Sequence, residues 1–200
     1  MVTEIEFLYD FGSPNAYFVH RAIPPIEAAG KVRFRFVPVL LGGIFKATGN
    51  QSPMQAYGHI AAKRDYDFLE IRRFMARHGI TAFQMNPNFP VNTLLAMRGA
   101  VAAEGLGCAA TYVEAMFAGL WEKGLKLDDP VVWAQTVAAA GLDAEALGAA
   151  TQDSGVKARL VANTEAAVAR GVFGIPSFFL GDQLYFGKDR LRDVVEAAGG

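Results

Sequence analysis

The sequence predicts an α/β fold in which the two ends of the chain share one mixed sheet and the middle is all helix. Three observations predict it. A strand–helix–strand pattern opens the chain. An Ala-rich, helix-periodic stretch with almost no strand signal runs from about Phe45 to Arg170. A hairpin and a closing helix follow Gly171.

Glu4 to Tyr9 is an apolar, aromatic run and reads as a buried strand. It breaks at Asp10 to Gly12 and restarts as a helix, with Ser13 at the N-cap and Pro14 at the first helical position. That helix is expected to reach Ala29, kinked or split at Pro24-Pro25, with Gly30 ending it. Val32 to Val37 alternates apolar and basic residues, the pattern of a half-exposed strand. A strand, a helix and a second strand imply a parallel pair joined by a right-handed crossover. Pro38 to Gly43 leaves the sheet.

Six helices are expected next, roughly Met54–His78, Thr93–Glu104, Ala109–Glu122, Pro130–Ala140, Ala144–Ala150 and Ser154–Arg170. Asp129-Pro130 is a cap followed by a first-turn proline, and Gly79, Gly105, Gly124, Gly141 and Gly171 sit where helices should stop. Thr81 to Pro90 is an irregular loop rich in aromatic residues and proline. Pro176 to Leu180 and Gln183 to Phe186 read as a hairpin turning at Gly181-Asp182, and Lys188 to Glu196 as the closing helix. This order gives a thioredoxin-like core, residues 1–44 plus 171–200, with an inserted helical domain, residues 45–170.

The bulk numbers exclude several classes. The chain has 200 residues, 52% hydrophobic and 20% charged, with net charge -1. That charge offers no case for nucleic acid or an anionic membrane surface. No apolar run reaches the ~18 residues a bilayer span needs, and the start lacks a signal-peptide pattern; a cytoplasmic protein is expected. Cys108 is the single cysteine, so no internal disulfide and no C-x-x-C pair exist. In its Ala-rich stretch Cys108 reads as a small buried filler. His20, His59 and His78 have no metal-ligand spacing, so no metal site is expected.

A strand feeding a helix through a short turn aims the helix N-terminus, with its unpaired N–H groups and partial positive charge, at whatever occupies the turn. Ser13 stands there. One reading is a helix cap alone, the commoner role of such serines. The other is a hydroxyl that steadies an anion, and Gly171-Val-Phe-Gly-Ile-Pro-Ser177 supports it. A proline opening a strand after a glycine-rich turn is a place for a cis bond. In a thioredoxin-like core this loop faces the start of helix one, leaving the Ile175 backbone free to pair with an extended peptide-like ligand.

Asp-Phe-Gly-Ser-Pro-Asn-Ala-Tyr17, Leu-Gly-Gly-Ile-Phe-Lys-Ala-Thr-Gly-Asn50, Gly-Val-Phe-Gly-Ile-Pro176 and Phe-Gly-Lys-Asp-Arg-Leu191 resemble, in this order and over essentially the whole chain, the 2-hydroxychromene-2-carboxylate isomerases. These are relatives of kappa-class glutathione transferases within the DsbA-like thioredoxin superfamily. Where DsbA-like oxidoreductases carry Cys-Pro-x-Cys, this chain has Ser13-Pro14-Asn15-Ala16. The resemblance implies that Ser13 is the catalytic residue and holds the sulfur of bound glutathione. It implies further glutathione contacts at Asn50, Lys63, Ile175, Pro176 and Asp189, with Lys188 standing where the family often has a small polar residue. Asn50 and Lys63 would also meet the substrate, and Asn86, Pro87 and Phe89 would line an aromatic pocket; turn, surface and packing roles are the competing readings for all five.

The implied activity is glutathione-dependent cis–trans isomerisation of 2-hydroxychromene-2-carboxylate to trans-o-hydroxybenzylidenepyruvate, a step of naphthalene-type catabolism. It would proceed by thiolate addition, bond rotation and elimination. A homodimer is implied as well. The alternatives are a kappa-type glutathione transferase and a non-catalytic thioredoxin-fold binding protein. A disulfide oxidoreductase is disfavoured, because Ser13 and Ala16 cannot form the disulfide.

Overall fold

Both ends of the chain meet in a four-stranded mixed sheet of order β2-β1-β3-β4, in a computed structural model that describes residues 2–199. β1 (Thr3–Tyr9) and β2 (Val32–Pro38) run parallel and are joined by α1 (Pro14–Ala28). β3 (Ser177–Leu180) pairs antiparallel on the other side of β1, with Phe7 opposite Phe178, and β4 (Gln183–Phe186) returns beside it. β1 is therefore central and covered on both faces, which is why Phe7, Leu8 and Tyr9 are all buried. β2 is an edge strand. Its Arg35 reaches Glu4 and Glu6 on β1, which explains the basic–apolar alternation.

Helix α1 runs unbroken through Pro24 and Pro25, contrary to the expected kink or split. Both prolines lie on its exposed face, so water can reach the carbonyls that lose their N–H partners.

Nine further helices follow among the described residues. They are α2 (Leu41–Thr48), α3 (Pro53–Tyr57), α4 (Ala61–His78), α5 (Leu94–Gly105), α6 (Ala109–Trp121), α7 (Pro130–Ala139), α8 (Ala144–Ala150), α9 (Ser154–Ala169) and α10 (Leu191–Ala197). The stretch expected as one helix, Met54–His78, is two. Ser52 and Gln55 form a capping box that starts α3, and α3 ends at Gly58 before α4 begins. Helix α2 was not expected, because Leu41-Gly42-Gly43 has poor helix propensity and no local cap. Its cap comes from elsewhere: Asp10 accepts the Leu41 N–H at 2.7 Å. The closing helix begins as a 3-10 turn, Lys188–Arg190, that leads into α10.

One apolar core runs from the sheet into the helices. Phe11 sits edge-on to Phe117 of α6 at 4.9 Å between ring centres, and Phe18 of α1 to Phe83 at 4.7 Å. Such pairs add to area burial. Trp121 fixes this layer to the turn after β1 by donating its indole N–H to the Phe11 carbonyl at 2.8 Å. Among the described residues no helix is long and apolar enough to cross a membrane.

Candidate active site

The turn between β1 and α1 is held from three sides by Asp10, which is buried. One carboxylate oxygen accepts the Gly12 N–H at 2.8 Å and the Thr93 hydroxyl at 2.7 Å; the other accepts the Leu41 N–H. Burial pushes the Asp10 carboxyl up, and the N–H groups of Leu41 and Gly12, with the Thr93 hydroxyl, pull it back down. The chain can then turn sharply, with the Ser13 N–H on the Asp10 carbonyl at 3.1 Å.

Ser13 is extended and caps α1: its hydroxyl oxygen accepts the Ala16 N–H at 3.2 Å. The hydroxyl donates to the Ile175 carbonyl at 3.1 Å, and the residue is 4% exposed. The cap reading is thus correct, and the same oxygen also faces the loop before β3. No acidic residue stands in the first turn of α1 itself; the carboxylate at this end is that of Asp10, already bonded to Gly12, Leu41 and Thr93. The Asn15 N–H has no acceptor among the described residues, and Asn15 Oδ1 is buried without a partner.

The Ile175–Pro176 peptide bond is cis. The Pro176 carbonyl accepts the Gly187 N–H at 2.9 Å, and the Ser177 hydroxyl donates to Gly174 at 2.8 Å. No described group accepts a hydrogen bond from the Ile175 N–H. Asn50 reaches the same loop, donating its amide to the Phe173 carbonyl at 2.7 Å. Lys188 and Asp189 follow Gly187, and Lys188 donates to Asp189 Oδ1 at 2.7 Å. The fold therefore brings Ser13, Asn50, Ile175 and Pro176 together at one loop, with Lys188 and Asp189 next in the chain to Gly187, which bonds that loop.

The remaining candidates lie apart from it. Lys63 is 42% exposed on α4, 3.4 Å from Asp67 and over the Tyr57 ring at 5.0 Å. Asn86 is buried, and its amide is spent on backbone. It donates to the Leu120 and Leu125 carbonyls at 3.0 and 2.9 Å and accepts the Asn88 N–H at 2.8 Å. Its contact is thus structural, tying the 81–90 loop to the end of α6. Pro87 is exposed and lies by Gly124. Phe89 is exposed, with its ring centre 5.9 Å from that of Trp121, one side chain away from the Phe11 turn.

A polar cluster one turn along α1 was not foreseen. Tyr17 donates to Glu122 at 2.9 Å, Arg21 bridges Glu122 and Glu114, and His20 pairs with Glu114 at 2.9 Å. The hydrogen bond from His20 and the Arg21 guanidinium hold the Glu114 carboxyl at about 2, against partial burial that pushes it up. Burial and the neighbouring Glu122 push the Tyr17 phenol to about 12. The partners of α1 come from α6 and the residue that ends it, so no local pattern could reveal them.

The family described as DSBA-like thioredoxin domain matches residues 4–199. A protein named 2-hydroxychromene-2-carboxylate isomerase from Pseudomonas sp. (strain C18) is 28% identical, covering 100% of this chain and 92% of its own. A protein of that name from Pseudomonas putida is also 28% identical, covering 98% and 94%. The solved structure of a 2-hydroxychromene-2-carboxylate isomerase superposes with a TM-score of 0.83 at 26% identity, covering 98% of this chain and 95% of that one.

Proposed function

This chain belongs to the DSBA-like thioredoxin domain family, and from that premise we propose that it is a glutathione-dependent isomerase acting on 2-hydroxychromene-2-carboxylate or a close aromatic analogue. Relatives of that name, matched end to end, support the isomerase. The observation that carries the glutathione reading is the placement of Ser13. Its hydroxyl stands at the N-terminus of α1 and against a cis-proline loop whose Ile175 N–H has no acceptor among the described residues.

The residues present fit a peptide-like thiol. Asn15 Oδ1 is an orphaned buried acceptor two residues from Ser13, and the N–H of Ile175, whose carbonyl takes the Ser13 hydroxyl, has no acceptor among the described residues. Ser13 supplies one proton, which it now lends to Ile175 and can turn toward a sulfur. Glutathione, when bound, would supply a thiol nucleophile for reversible addition to the conjugated alkene of the ring-opened substrate. An ordinary thiol, of pKa about 8.5, is only slightly ionised near neutrality. The Ser13 O–H and the Asn15 N–H both favour the thiolate and pull that value down. Ser13 also excludes water from the sulfur by its burial.

Asn50 keeps a second amide N–H for a substrate oxygen while its first holds Phe173. Lys63 serves a substrate carboxylate only by leaving Asp67. An exposed pair four residues apart on a helix costs only about 0.3–0.5 kcal/mol to break, so that exchange is cheap.

The test is absorbance of 2-hydroxychromene-2-carboxylate mixed with the protein, with and without catalytic glutathione, for wild type and Ser13→Ala. Conversion that requires unconsumed glutathione and falls at least a hundredfold in the variant is expected. Consumption of glutathione into a stable adduct would instead indicate a kappa-type transferase. Absence of any glutathione binding would return Ser13 to a helix cap.

A further inference from the structure

Lys188 is one of two charged residues buried among the described residues, the other being Asp10. Its side chain is 5% exposed, with the ammonium 2.7 Å from Asp189 Oδ1 and 5.3 Å from the centre of the Phe74 ring. Asp189 is 55% exposed, and no hydrogen bond reaches its second oxygen among the described residues. The carboxylate is thus gripped from beneath by one oxygen and open to solvent at the other. These two residues continue a line that starts at Ser13: its hydroxyl touches Ile175, and Gly187 touches Pro176. Asp189 lies two residues beyond Gly187, so a peptide-like thiol with its sulfur at Ser13 and its backbone on Ile175 would have this carboxylate as an acidic group beside the same loop.

We infer that Lys188 decides which thiols the site accepts, by neutralising Asp189 so that the far end of the ligand is read for hydrogen bonding and not for positive charge. γ-Glutamyl thiols and their des-amino (glutaryl) counterparts then bind alike. This rests on the glutathione reading above. The electrostatics are simple. An ammonium about 3 Å from the free Asp189 oxygen lies roughly 6 Å from the lysine nitrogen, so at equal screening repulsion cancels about half of the attraction. The buried lysine is screened less than the exposed carboxylate, which deepens the cancellation. A bare carboxylate in the same place would select strongly for the ammonium.

Titration calorimetry with glutathione and with glutaryl-Cys-Gly gives a ratio of dissociation constants that reads the effect directly. In wild type the ratio stays within about threefold. In Lys188→Met, which keeps the packing on Phe74, glutathione is preferred by about tenfold or more, the worth of one unopposed charge-assisted contact. Asp189→Asn, at an exposed position, leaves the lysine charge opposed only by Glu70 on α4, away from the ligand, and makes the glutaryl thiol the tighter ligand. A merely structural Lys188 would weaken both thiols together and leave the ratio unmoved. A wild-type ratio of tenfold, or the same ratio in wild type and Lys188→Met, overturns the inference while leaving the glutathione reading intact. If Lys188→Met does not fold, the direction of preference in Asp189→Asn decides, and continued preference for glutathione overturns it. Binding of neither thiol to wild type overturns both readings.

Discussion

Thr93 gives its hydroxyl proton to Asp10 at 2.7 Å, joining the residue before α5 to the turn that aims Ser13. The same carboxylate takes an N–H from Gly12 and another from Leu41, so three separate pieces of chain depend on one buried acceptor. Asp10→Asn replaces an acceptor oxygen with a donor and leaves at least one of these groups facing it. We expect a loss of about 2–3 kcal/mol in urea unfolding, against about 1 kcal/mol for Thr93→Val, which removes a single bond. The double variant should lose less than the sum, because both changes remove the same interaction. Strict additivity would show that Asp10 and Thr93 act separately.

Ser13 separates stability from chemistry. Ser13→Ala removes the cap and should cost about 1 kcal/mol of stability, far less than the drop in turnover stated above. Ser13→Cys, in a Cys108→Ala background, puts a thiol at the helix N-terminus. Its ionisation, followed by thiolate absorbance against pH, should fall below the ordinary value of about 8.5. An ordinary or higher value would mean that the turn does not favour an anionic sulfur.

Glu114 predicts an acid-side effect. Its carboxyl is held at about 2 in the folded chain, below its ordinary 4.5. A group depressed by folding stabilises above its ordinary value and loses that contribution as pH falls toward the folded one. The gap in melting temperature between wild type and Glu114→Gln should therefore be full at pH 7, shrink from pH 4.5 downward and nearly vanish near pH 2. The carboxylate is half exposed, so added salt should narrow the pH 7 gap as well. A gap that is constant from pH 7 to pH 2 would remove the ion pairs with His20 and Arg21 from the account.

Gly99 tests the packing of α5 on α6. A methyl there would collide with the Tyr112 hydroxyl oxygen, which is itself fixed by donating to Ala96 at 2.9 Å and accepting from Trp133 at 2.8 Å. Gly99→Ala should destabilise by about 1–3 kcal/mol despite alanine's better helix propensity. Gly105→Ala, at the end of the same helix with open space around it, should be neutral or stabilising. Equal effects at the two positions would contradict the contact.

The strands, the hairpin and the Ser13 cap were legible because their signals are local: an apolar run, a two-residue glycine turn, a serine before a proline. Helix α2 was hidden, because its cap lies on Asp10 and its Gly43 faces Thr164 of α9 at close range. The scaffold of the site was hidden for the same reason. Asp10 reads in sequence as a strand breaker, and only the fold shows that three donors converge on it. Asn86 shows the limit from the other side. The resemblance implies a place in the substrate pocket and packing is the competing reading; its amide is bonded to carbonyls at the end of α6 and just beyond it.

The bond from Ser13 to Ile175 spans 162 residues, and β1 lacks its second neighbour until β3 arrives. On a ribosome, the early strands and the helices that follow are made first, while β1 waits with one ladder open. The turn that presents Ser13 can be shaped by Asp10, Leu41 and Thr93 during that interval. Its partner loop emerges later, so the site is completed by the last part of this fold to be synthesised. A ribosome-bound chain halted before Gly171 should therefore hold helices but no thiol site, and the unpaired edge of β1 is where such a chain would meet a chaperone or a second copy of itself.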